Sequence, residues 1–298
     1  MVPSIRVVSA ATLDHFNALE CMVSTLHQTD PTVPVLVHSL DSHISARAAR
    51  LQAANARVSV RLVDWSLMPS FARVRPHLRE KRDESAKAGH YAWKPLLIAQ
   101  AFERGEQEAL IWLDAEHRLA HLNLLRRMAA SAKALGGVLS MWSAGSMARW
   151  THPHTLAYMY NASTSSATAA VLGPQRPPSV TLGATENCDA STLVLIRGHP
   201  RAAAVLRAWT ACAQVEECIA PAGSSRANHR QDQAALTVIL QATRCLPSRS
   251  TRLHPNPPHP TRNGLIYPTL SLPIPPHPIT DPCHQLFARA PSHPTPPH

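Results

Sequence analysis

The sequence is short of the marks that identify several large functional classes. No run of about eighteen apolar residues occurs, so no segment reads as a membrane-spanning helix. No basic stretch followed by an apolar run opens the chain, so the start does not read as a signal peptide. Gly-x-Gly-x-x-Gly and Gly-x-x-x-x-Gly-Lys-Ser/Thr are both missing, which leaves dinucleotide-fingerprint and P-loop readings unsupported. There is no Gly-x-Ser-x-Gly elbow of the serine hydrolases. None of the six cysteines forms a Cys-x-x-Cys pair, against a zinc ribbon or a thioredoxin-like site. The net charge of +10, from 29 Lys/Arg and 19 Asp/Glu, contains no block of five basic residues and no basic stripe interleaved with aromatics. Nucleic acid is therefore not the expected partner.

What is present is uneven. The 298 residues are 45% hydrophobic, enough for one large α/β domain with a sizeable core. Of the 27 prolines, 15 follow Cys245. This divides the chain into a globular region at 1–244 and a Pro/His-rich low-complexity tail at 245–298, for which disorder is expected. Cys212 and Cys218 are spaced to bridge if they flank a helix end. Asn161-Ala-Ser163 matches the N-glycosylation acceptor pattern.

Apolar periodicity gives strand, helix, strand, helix, strand over the first 65 residues: strands at 5–10, 33–39 and 58–63, and helices carrying Phe16, Leu19, Val23 and Leu26, then 45–56. Thr12 or Asp14 is the candidate cap of the first helix. Residues 66–87 read as irregular. A helix follows over 93–103, with Pro95 tolerated in its first turn. The most apolar strand is 109–113. Beyond it come a helix at 122–135 stopped by Gly136 and Gly137, a strand at 138–142, a helix at 151–166, a loop at 167–183, a strand at 191–196, and helices at 200–213 and 231–241. Such alternation implies a mostly parallel twisted sheet with helices on both faces.

The chemistry centres on Ile111-Trp-Leu-Asp114-Ala-Glu116. Two carboxylates follow directly on a hydrophobic strand, and open α/β sheets bind ligands at the carboxyl ends of their strands. Paired carboxylates can hold a hard divalent cation, Mn2+ or Mg2+, which can bridge a diphosphate and neutralise a leaving group. Upstream, Tyr91-Ala-Trp93-Lys94-Pro95 opens a helix, where an N-terminus and an ammonium group can meet phosphate oxygens. Against this, Asp-x-Glu is common, Asp114 can merely cap a helix and Glu116 be solvated, while Trp93 also reads as a core residue and Lys94 as a surface charge.

Together, the Trp-Lys-Pro segment, the helix and the Asp-x-Glu strand end resemble the nucleotide-diphospho-sugar transferases of the GT-A fold, over about residues 5–243. The resemblance implies that Asp114 and Glu116 stand at the Asp-x-Asp metal motif, with Glu in the second place. It puts Trp93, Lys94 and Asp114 on the donor side. It also implies that Asp232-Gln233 and the stretch Asn187-Cys-Asp189 face the acceptor, making Asp232 and Asp189 the candidate bases, while Asp232 reads equally as a residue that caps and orients its loop. His229 is a candidate acceptor, metal or phosphate contact, or else a surface histidine. The expected partners are a nucleotide-sugar donor and a glycan, protein or small-molecule hydroxyl acceptor. The location expected is the Golgi or ER lumen if an upstream anchor is missing, and the cytoplasm otherwise. Two other readings stand beside glycosyl transfer: a non-catalytic nucleotide-sugar-binding relative, and a basic nucleic-acid-binding protein.

Overall fold

The structure is a computed structural model that describes residues 3–75, 84–161, 172 and 183–243. The tail at 245–298, the loop at 167–182 apart from residue 172, and the end of the helix expected at 151–166 lie outside the described residues, as does Ser163. Among the described residues no helix is long and apolar enough to cross a membrane.

Six strands form one sheet in the order β3-β2-β1-β4-β6-β5: β1 Ile5–Ala11, β2 Val35–Ser39, β3 Val58–Leu62, β4 Ala109–Leu113, β5 Val138–Ser146 and β6 Glu186–Ile196. β3, β2, β1 and β4 run parallel, as the strand-helix alternation requires. β6 inserts antiparallel between β4 and β5. It is also longer than the 191–196 expected, because residues 186–189 pair with β5 beyond a register shift at Ser140/Met141. The sheet is thus mostly parallel with an antiparallel flank.

The helices are α1 Phe16–Thr29, α2 Ala46–Ala54, α3 Glu84–Lys87, α4 Trp93–Arg104, α5 Leu124–Ala134, α6 Met147–Trp150, α7 Pro153–Tyr160, α8 Pro200–Ala213, α9 Glu216–Ile219 and α10 Gln231–Ala242. They bury the two sheet faces in separate cores. One gathers α4, α7, α8 and α10 around Trp112, Leu193, Leu195 and Trp209; the other gathers α1 and α5 around Val7, Val37, Ile111 and Val194. β4 lies between them with all five residues buried, which explains why its sequence is continuously apolar.

Local chemistry sets several boundaries. β2 starts at Val35, two residues later than expected, because Pro34 has no N–H to give a ladder. Ser45 caps α2 by accepting from the Ala48 N–H at 3.2 Å. Neither Thr12 nor Asp14 caps α1; a 3-10 turn at Leu13–His15 leads into the helix, whose N-cap is His15. α5 ends in left-handed glycines: the Gly137 N–H reaches back to Ala132 O at 2.7 Å, and a Cβ there would strike the His199 ring at 2.3 Å. The 66–87 segment, expected to be irregular, holds 3-10 turns at Trp65–Leu67 and Ser70–Ala72 as well as α3. Cys212 and Cys218 form a disulfide from the end of α8 to α9.

Candidate functional site

The chain runs from β1 outward through β2 and β3, then returns to add β4 on the other side of β1. The strand order therefore reverses between β1 and β4, and the carboxyl ends of strands at such a reversal are the preferred ligand position of open α/β sheets. Asp114 is the first residue past β4 and is held there by its N–H, which donates to Ser191 O at 2.9 Å.

Lys94 sits in the first turn of α4, and only 4% of it is exposed. Its Nζ lies 3.0 Å from Asp114 Oδ1 and 3.2 Å from Oδ2, 3.4 Å from Asp232 Oδ2 and 3.5 Å from Ala190 O. The Tyr91 and Trp112 rings lie 5.8 and 5.7 Å away, within cation–π range. Burial alone would lower the ammonium pKa; Asp114, Asp232 and, through space, Asp189 override it and hold Lys94 charged well above its usual range. Asp232 responds the other way. Burial pushes its carboxyl up to about 6, against the pull of Lys94. Its Oδ2 is at ion-pair distance from Lys94 without a hydrogen bond among the described residues.

Asp114 is the more open carboxylate, its side chain 36% exposed. The Trp112 indole N–H donates to its Oδ1 at 2.6 Å, so the residue that completes the apolar strand also orients the first acid past it. Glu116 is exposed, two residues on. His117, which the sequence did not single out, is half-buried between Thr192 Oγ1 at 2.6 Å and Ser191 Oγ at 3.4 Å, and burial lowers its pKa. Asp189 accepts from the Ser191 N–H at 2.8 Å and the Ser191 hydroxyl at 2.7 Å.

The remaining sequence candidates divide. Trp93 is buried with its N–H donated to Ala88 O at 2.9 Å, a core position behind the site. Asn187 is fully buried; its Oδ1 accepts from the Thr237 hydroxyl at 2.8 Å, and its Nδ2 has no hydrogen-bond partner among the described residues. Gln233 is half-buried in the first turn of α10. His229 is neither a surface group nor a cleft contact. It is fully buried: its Nε2 donates to Ile219 O at 2.9 Å, while its Nδ1 accepts from the His152 N–H at 3.1 Å. With both ring nitrogens used inside the fold it is a strut between α7, α9 and the loop before α10.

Strained backbone flanks Lys94 and Asp232. Gly89, His90 and Tyr91 all have positive φ, at 60°, 50° and 56°, and Gln231 has φ 40°. A Cβ at Gly89 would lie 2.0 Å from Ala72 O, so the turn needs glycine. Left-handed non-glycine residues cost energy and concentrate at functional sites; these aim Tyr91 at Lys94 and start α10 so that Asp232 points inward.

His229 also gives the protein an acid-sensitive core, together with His38 on β2. Burial pushes each imidazole from 6.5 down to about 4. The unfolded chain therefore binds more protons between those values, and stability falls as pH drops through the window. Each histidine is expected to remove about 2 kcal/mol between pH 7 and pH 5. Urea titrations at the two pH values check this: His229→Asn should have a flatter pH dependence than the parent, and an equal slope would remove His229 from the explanation.

No protein-family model and no curated protein matches the chain. Solved structures do resemble it. The galactosyltransferase LgtC in complex with donor and acceptor sugar analogues is 14% identical over 78% of this chain and 70% of its own, with a TM-score of 0.43. Mouse xyloside xylosyltransferase 1 is 12% identical over 81% of this chain and 83% of its own, with a TM-score of 0.44. Core-mannan synthase A from Aspergillus fumigatus, in its Mn/GDP form, is 7% identical over 80% of this chain and 69% of its own, with a TM-score of 0.46.

Proposed function

We propose that this chain is a glycosyltransferase of the GT-A type that moves a sugar from a nucleotide-diphosphate donor to a hydroxyl acceptor. The observation that carries the reading is the buried Lys94 ammonium paired with Asp114 and Asp232 at the strand ends where the strand order reverses. A fixed cation in the first turn of a helix is suited to the oxygens of a diphosphate. Asp114 and Lys94 then face the donor. Asp232, whose carboxyl is raised to about 6, and Asp189, bonded to Ser191, are the candidates to orient or deprotonate an acceptor hydroxyl.

The residues also fit a divalent cation, Mn2+ or Mg2+, in a limited way. Among the described residues no three His, Cys, Asp or Glu groups converge on one point, so no closed protein cage exists. Asp114 and Glu116 are nevertheless open at the strand end, and such ions are commonly held by one or two carboxylates with substrate phosphates supplying the rest. When bound there, the cation supplies positive charge to the departing diphosphate.

A thermal-shift screen of nucleotide sugars with and without manganese, followed by donor hydrolysis on the hits, tests the proposal. Glycosyl transfer predicts a manganese-dependent upward shift for one nucleotide class and slow donor hydrolysis. The absence of any shift across the screen overturns it. A second reading, a non-catalytic nucleotide-sugar-binding relative, is favoured by one observation. Asp114 is already engaged by both Lys94 and Trp112. That reading predicts tight nucleotide binding with no hydrolysis.

A further inference from the structure

Three guanidinium groups gather at the end of α6. The Arg149 and Arg230 guanidinium carbons lie 4.6 and 4.2 Å from the Trp150 ring centroid. Trp150 is itself fixed: its indole N–H donates to Ala144 O at 2.8 Å, and its carbonyl accepts from the Arg230 N–H at 3.1 Å. Arg226 completes the group, donating to the Tyr91 hydroxyl at 3.3 Å. Arg149 and Arg226 are exposed and Arg230 is partly buried. Burial and then the charges of Arg226 and Arg149 lower the Arg230 pKa, so Arg230 stands within reach of both.

Among the described residues none of the three is ion-paired with a carboxylate, whereas Arg47 pairs with Glu20 and Arg126 with Asp30. A cluster of like charges without its own counter-ion is a ready site for an anion, and planar guanidinium forks suit the paired oxygens of phosphate, sulfate or carboxylate. The cluster also borders the Lys94 site. Arg230 is two residues from Asp232, and Tyr91, bonded to Arg226, has its ring 5.8 Å from Lys94 Nζ. It stands on the α6–α10 side, next to Asp232, rather than at the Asp114–Glu116 strand end assigned to the donor.

We propose that Arg149, Arg226 and Arg230 form an oxyanion subsite that selects a sugar acceptor carrying a phosphate, sulfate or carboxylate group. The word acceptor rests on the glycosyltransferase reading; the oxyanion subsite does not. The donor diphosphate is the other possible source of the same oxygens, and the experiment separates the two.

The full chain is titrated calorimetrically with glucose 6-phosphate, glucuronate, glucose, uridine diphosphate and guanosine diphosphate. Arg149→Gln and Arg226→Gln are compared with the parent, both being exposed positions at which folding is not at risk. The parent is expected to bind at least one charged sugar at least tenfold more tightly than glucose. Each variant is expected to weaken that binding about tenfold while leaving nucleoside-diphosphate affinity unchanged. Charged sugars that bind no better than glucose overturn the proposal. So does a loss that falls on the nucleoside diphosphate instead, which gives the cluster to the donor. Charged-sugar binding that depends on the arginines, in a protein that binds neither nucleoside diphosphate, keeps the subsite and removes the glycosyltransferase reading.

Discussion

Lys94→Met is expected to lower the stability of the protein by about 3–5 kcal/mol at pH 7, the cost of leaving a buried charge without its partner. The volume change is small, so packing contributes little. The effect comes from Asp232, whose side chain is 7% exposed and whose one cation, at 3.4 Å, is removed. Asp114 suffers less, since it is partly open to water and keeps the Trp112 N–H. With a urea slope of about 2–3 kcal/mol/M the unfolding midpoint should fall by roughly 1–2 M.

The pH dependence identifies the cause. Without Lys94 the Asp232 carboxyl titrates above the value of about 6 that it has beside the lysine. A carboxyl raised on folding binds its proton more tightly in the folded state. The folded state therefore gains relative to the unfolded one at low pH, and loses that advantage as pH rises through the folded pKa. Lys94→Met should accordingly lie closer to the parent at pH 5 than at pH 7, and Lys94→Met/Asp232→Asn should recover most of the loss at both. A deficit that is constant with pH and survives the second substitution would mean that Lys94 is needed for shape and not for charge.

That coupling marks the limit of what sequence pattern can deliver. The period-2 and period-3.6 patterns located β4 and α8 with the bounds found in the structure, because each is an apolar run between strong punctuation: Gly105 and Asp114 around the one, Pro200 opening the other. The direction of β6 was not legible, since an apolar run buried on both faces reads alike parallel and antiparallel. Nor was the strand's early half, where polar and apolar residues are buried without strict alternation and 186–189 pair beyond a bulge. At the site, the types were readable and their partners were not. Lys94 and Asp114 stood out as separate donor contacts, yet in the fold they bond each other. Asp232, 138 residues from Lys94, joins them only because the packing of α10 beside β6 and of α8 against both α4 and α10 brings it there. His229 shows the same limit from the other side. A histidine in a polar loop sequence reads as exposed, but its two ring nitrogens satisfy a carbonyl and an N–H that burial would otherwise strand.

Asp114→Asn should remove manganese-dependent nucleotide-sugar binding, by at least about a hundredfold in affinity. Substituting the outer-shell partner of a metal ligand typically costs 10–100-fold, so neutralising a direct ligand costs at least the upper end of that range. The fold should survive: an amide oxygen can still accept the Trp112 N–H, and Lys94 keeps its contact with Asp232. Glu116→Gln is the graded companion. Glu116 is exposed and, among the described residues, its side chain makes no hydrogen bond or ion pair, so its loss should cost less than that of Asp114. Calorimetry at fixed manganese, repeated with chelator, separates two ways in which Asp114 can matter. If Asp114 carries the cation, the variant in manganese should bind like the parent in chelator. If Asp114 serves only to fix Lys94, the variant should weaken binding equally with and without manganese, because an ammonium that has lost its positioning partner meets the diphosphate less well in either condition. Unchanged affinity in manganese would remove Asp114 from the donor site, and with it the assignment of Glu116.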